Sequence, residues 1–121
     1  MKEMTIAFEA PYYRFVGHEN MGKIECYNHF LNWMKGEFDL YLQENYEGLK
    51  IYFPNGWFTI NKDVGDKKPI QVEIEIKTKS LKDGKKIESH IKSVLERFVK
   101  YARTTGHLDD SSTYTLLKCG E

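Results

Sequence analysis

The sequence predicts an α+β fold in which an antiparallel sheet of five to seven strands carries two amphipathic helices on one face, all within a single domain over residues 1–121. Three observations lead there. Residues 70–78 alternate Ile70, Val72, Ile74 and Ile76 with polar side chains, the period of a strand with one buried and one wetted face. Residues 23–35 and 85–104 instead repeat apolar side chains at steps of three and four, one buried helical stripe each. Between them, Pro54-Asn55-Gly56 joins two short runs of strand formers, a hairpin signal in which proline presets one turn torsion and glycine supplies another. A chain of 121 residues has the size of one domain.

Taken in order, residues 4–18 read as a strand, or as two strands broken at Pro11, because proline has no N–H for a ladder. Asn20 and Gly22 turn the chain into the first helix, whose stripe is Ile24, Tyr27, Phe30, Leu31 and Met34. Lys35 complements the negative end of the helix dipole, and Gly36 is placed to end the helix in a left-handed conformation. Beyond Gly36 the period falls to two. Phe38, Leu40 and Leu42 alternate with Asp39, Tyr41 and Gln43, so residues 37–46 are read as a strand and turn. The rival reading carries the helix through Gly36 to Tyr46. Leu49, Ile51 and Phe53 form the first arm of the hairpin, residues 57–60 the second, and residues 61–68 a polar loop. After the strand at 70–78, Lys82-Asp83-Gly84 forms a turn with Asp83 as helix N-cap. The second helix carries Ile87, Ile91, Val94, Leu95, Phe98, Val99 and Ala102 on one stripe, with Glu88–Lys92 and Glu96–Lys100 as i,i+4 pairs. Gly106 is placed to end it, residues 109–112 form a loop, and residues 113–119 a last strand.

Composition excludes several classes of function. Eighteen basic residues balance eighteen acidic ones, and 40% apolar with 30% charged residues describes a soluble globular chain. The charge is uneven along it: residues 1–47 sum to −4 and residues 62–103 to +5. No apolar run approaches the roughly 20 residues of a membrane span, so no membrane partner is expected. Cys26 and Cys119 form no framework and are read as reduced thiols of a cytoplasmic protein. Phosphate-cradling glycine loops and a nucleophile elbow are both missing from the sequence. His18, His29, His90 and His107 lack ligand spacing, so no metal and no cofactor is expected.

Two charged motifs carry weaker readings. Glu73-x-Glu75-x-Lys77 has the E-x-K pattern that holds Mg²⁺ and orients water in metal-dependent nucleases, and it is also what any wet strand face produces. Lys82, Lys85 and Lys86 cluster where the second helix begins and form a candidate anion site, although a solvated lysine face explains them as well. With zero net charge, nucleic acid is not an expected partner.

The aromatic content is the most informative feature: eight Tyr, seven Phe and two Trp exceed what the apolar stripes can bury. Tyr12, Tyr13, Trp33, Tyr52 and Trp57 fall off the core faces and are the candidate binding residues, since Tyr and Trp join a large apolar body to a polar tip. Packing at the edge of the core is the plain alternative for each. Phe15-Val16-Gly17-His18, followed by Tyr27, Phe30, Leu31 and Trp33, resembles the first strand–helix unit of gyrase-inhibitor-like effector-binding domains. That likeness spans about 20 residues, does not extend to the family's glycine-rich strand or acidic pocket, and assigns no residue a role.

The leading expectation is therefore a non-catalytic binding protein that acts through an aromatic-rich surface on a protein partner or on itself, as a small inhibitor or adaptor of bacterial or phage type would. The first alternative is a small-molecule (effector) binding domain with its pocket between helices and sheet. The second is a metal-dependent nuclease built on the E-x-K strand.

Overall fold

The strict alternation of residues 70–78 becomes the strand on which the rest of the sheet is assembled. A computed structural model describes residues 4–63 and 69–104. In chain order the elements are β1 (Thr5–Glu9), β2 (Tyr12–Gly22), α1 (Ile24–Glu37), β3 (Gln43–Glu44), β4 (Leu49–Phe53), β5 (Gly56–Lys62), β6 (Ile70–Thr78) and α2 (Leu81–Thr104). The six strands form one sheet in the order β1-β2-β6-β5-β4-β3, with every neighbouring pair antiparallel. Strand β6 lies inside it, paired with β2 across Phe15↔Ile76 and with β5 across Phe58↔Ile76.

Both helices cover the same sheet face. Ile70, Val72, Ile74, Ile76 and Thr78 of β6 are buried beneath them, together with Phe15 of β2, Phe58 and Ile60 of β5, and Leu49 and Ile51 of β4. From the other side come Tyr27, Phe30, Leu31 and Met34 of α1, and all seven stripe residues of α2. The ring of Phe30 lies 5.5 Å from that of Phe98, which joins the two helices above the sheet. Helix α2 comes close to the sheet at Gly84, where a β-carbon would stand 2.6 Å from Phe15 Cζ and 3.0 Å from Thr78 Oγ1. The tight turn before β4 uses Gly48 at φ +133°, a conformation that a β-carbon opposes.

Four sequence expectations change. Helix α1 runs through Gly36 to Glu37, and residues 38–42 form turns instead of a strand; the helical rival fails too, because the helix stops well before Tyr46. The cause is tertiary. The Gln43 side chain donates to Lys35 O at 3.0 Å and Phe38 O at 2.8 Å, and Phe38 buries its ring 5.1 Å from Phe58 and 4.4 Å from His90. Phe38 thus anchors the segment alone, while Leu40 and Leu42 are 93% and 71% exposed. Helix α2 begins earlier than expected, with Ser80 Oγ accepting the Asp83 N–H at 3.3 Å, so Asp83 occupies the first turn and Ser80 the cap. Strand β2 extends past His18 to Gly22 through an irregularity at Asn20. Cys26, buried at the start of α1, is disulfide-bonded where the sequence leads to a reduced thiol, so the thiol argument for a reducing compartment no longer holds. The expected turn at Gly106, loop at 109–112 and strand at 113–119, with Cys119 and His107, lie outside the described residues.

Candidate functional site

Since both helices sit on one face, strand alternation turns a second set of side chains onto the face they leave open. The register gives that face its order. Tyr52 of β4 stands across from Trp57 of β5, Trp57 from Lys77 of β6, Lys77 from Arg14 of β2, and Arg14 from Ala7 of β1. At the other end of the row, the Tyr52 N–H donates to Leu42 O at 3.0 Å, which sets exposed Leu42 beside it.

Around this row three of the five candidate aromatic residues meet. The rings of Tyr12 and Trp57 lie 5.1 Å apart, edge to face at 63°. The ammonium of Lys50 stands 4.8 Å from the centroid of Tyr52 and 4.8 Å from that of Trp57, a cation–π contact shared by two rings. The Tyr52 hydroxyl donates to Glu44 on β3. The aromatic side chains are partly buried and their partners hold them in place, so little rotamer freedom is left for binding to remove.

The neighbouring charges pair off across strands. Arg14 Nε donates to Glu75, and that bond together with the carboxylate's charge raises the guanidinium pKa further above its ordinary value. His18 lies 3.4 Å from Glu73. Lys50, Lys77 and Arg14 on this face stand against Glu9, Glu44, Glu73 and Glu75, three cations to four carboxylates, which is not the basic stripe a phosphate backbone requires. The E-x-K motif thus lies on the open face, with Glu75 paired to Arg14 and Glu73 beside His18. Among the described residues no group of three His, Cys, Asp or Glu is placed to hold a metal ion.

Tyr13 and Trp33 go elsewhere. Tyr13 points to the helix-covered side, its ring 4.9 Å from Phe8. Trp33 packs between the helices, 5.6 Å from Phe98 and 5.0 Å from Tyr101. Both belong to the edge of the core. Lysines 82, 85 and 86 are exposed on α2, and Lys86 lines a cavity. That cavity, of about 360 Å³, opens at the end of the sheet between Phe38, Phe53 and α2. Lys50 and Leu42 were the members of the open face that sequence reasoning missed. Lys50 could have been found from its i,i+2 relation to Tyr52; Leu42 could not, since its exposure follows from the burial of Phe38.

Fold and site define a class: a one-sheet α+β protein with one face under two helices and the other open and set with aromatic side chains. No family model and no curated protein matches the chain. Among the described residues no helix is long and apolar enough to cross a membrane.

Proposed function

We propose that this chain is a non-catalytic protein-binding domain that engages its partner through the open sheet face, with Tyr12, Tyr52 and Trp57 at the centre and Lys50 as their polar companion. One observation carries the reading: aromatic side chains from β2, β4 and β5 converge on a face that no helix covers. Six strands span about 24 Å and the nine residues of β6 about 30 Å, roughly 700 Å² in plan. A standard protein interface buries about 800 Å² on each side, so the face has the right size. Its mixed charges, with one carboxylate in excess, suit a mixed protein surface and provide for orientation more than for raw attraction.

The test is native mass spectrometry of the protein isolated gently from its own source, beside Trp57→Ala and Tyr12→Ala variants expressed there. The wild type should carry a second protein mass or a multiple of 14.3 kDa, and both variants should lose it while melting within a few degrees of wild type. A complex that survives both substitutions would refute the role of this face. A variant that fails to fold would reassign its residue to the core.

A further inference from the structure

On the helix-covered side, away from the open face, the end of the sheet holds a cavity whose chemistry is of another kind. Its apolar wall is Phe38, Tyr41, Phe53 and Ile87, with the rings of Tyr41 and Phe53 4.7 Å apart and those of Phe38 and Phe53 5.9 Å apart. Its volume of about 360 Å³ falls at the small end of the ~300–1,000 Å³ range of small-molecule pockets. That suits a single ring or a short branched chain and excludes a long acyl tail.

The polar rim is asymmetric. Asp83 is engaged, its Oδ2 accepting from Asn55 Nδ2 at 2.9 Å. His90 is engaged as well, with Nε2 at 2.7 Å from Glu37, whose other contact is Arg97 at 3.1 Å. Lys86 lines the same cavity, is exposed, and has no ion-pair partner among the described residues. One oxygen of the Asp83 carboxylate is thus held by the Asn55 amide, and Lys86 is the cation of the lining that has no ion-pair partner among the described residues. An apolar recess with a single free ammonium at its edge is complementary to an amphipathic anion.

We propose that this cavity binds a small organic monocarboxylate with an aromatic or branched apolar body, the body against Phe38, Tyr41, Phe53 and Ile87 and the carboxylate at Lys86. The probes are phenylacetate and its uncharged analogue phenylacetamide, titrated to about 10 mM into the full isotope-labelled chain and followed by amide NMR shifts. Phenylacetate is expected to shift the amides of Asn55, Gly56, Thr78, Lys86 and Ile87 saturably, at a Kd of about 1 mM or below, and to bind about 5-fold more tightly than the amide. Lys86→Gln should bring the acid down to the affinity of the amide and leave the amide unchanged. Lys86 is exposed, and the variant's own spectrum reports that it is folded. Tyr41→Ala, at a side chain 43% exposed, should weaken both probes alike. Four results would overturn the proposal: no saturable shift, equal affinity for acid and amide, indifference to Lys86→Gln, or shifts centred on Tyr52 and Trp57.

Discussion

The same substitution, glycine to alanine, should have opposite signs at the two helical glycines. In a helix interior the exchange removes backbone freedom from the unfolded chain and stabilises by about 0.5–1 kcal/mol. Gly36 lies in the last turn of α1, and an added β-carbon there meets nothing within 4 Å. Gly36→Ala should therefore gain part of that amount, about 0.5 kcal/mol, trimmed by fraying at the helix end. At Gly84 the helical gain is the same, but the β-carbon would stand 2.6 Å from Phe15 Cζ and 3.0 Å from Thr78 Oγ1. Phe15 is fully buried and Thr78 is tied to Ser80 O at 2.7 Å, so neither can step aside cheaply. Overpacking of this kind costs about 1–3 kcal/mol, which outweighs the gain and leaves Gly84→Ala less stable by about 1–2 kcal/mol. For a domain of this size that is a fall in Tm of roughly 4–10 °C, against a rise of about 2 °C for Gly36→Ala. Calorimetry of the two variants measures both. A Gly84→Ala protein that melts at or above wild type would refute the close approach of α2 to β2. A Gly36→Ala protein that loses stability would restore the reading of Gly36 as a left-handed helix end.

Three further outcomes follow from the structure. Trp57→Ala, on the open face, should change stability by no more than about 1 kcal/mol, whereas Phe58→Ala, its fully buried neighbour, should cost about 3–5 kcal/mol; equal losses in denaturant titrations would contradict the two-faced sheet. Gln43→Ala removes both donations to the end of α1 and should cost about 1–2 kcal/mol, with faster amide exchange around Phe38; unchanged exchange would show that Phe38 holds the turn unaided. The carboxyl of Glu37 is held below the usual range, first by its hydrogen bond to His90 and then by Arg97. A lowered folded-state pKa contributes stability that is full above about pH 4.3 and is lost as pH falls through the folded value. Glu37→Gln should thus be less stable than wild type at pH 7, by at most about 1 kcal/mol at this partly exposed site, and the gap should narrow as pH falls below about 4.3. A gap that does not change with pH would refute the linkage.

What could be read directly from the sequence was whatever a local period encodes. The alternation from Ile70 to Ile76 and the seven-residue stripe of α2 place every named side chain correctly, because one helix or strand face is a property of neighbours in sequence. Tyr12, Tyr52 and Trp57 could be flagged as residues off the core, and the hairpin sets Tyr52 across from Trp57, but nothing local joins Tyr12 to them. Tyr12 comes from a strand distant in sequence, and β6 is inserted between β2 and β5, so only the completed sheet order brings Tyr12 to Trp57. The same holds for residues 38–42, where alternation suggested a strand. Gln43 and the pocket around Phe38, built from Phe53, Phe58 and His90, fix where α1 ends and send Leu40 and Leu42 into solvent. Periodicity determined which faces would be wet and which dry; long-range pairing decided which residues share a face, since strand register and helix capping are settled by groups far apart in the chain.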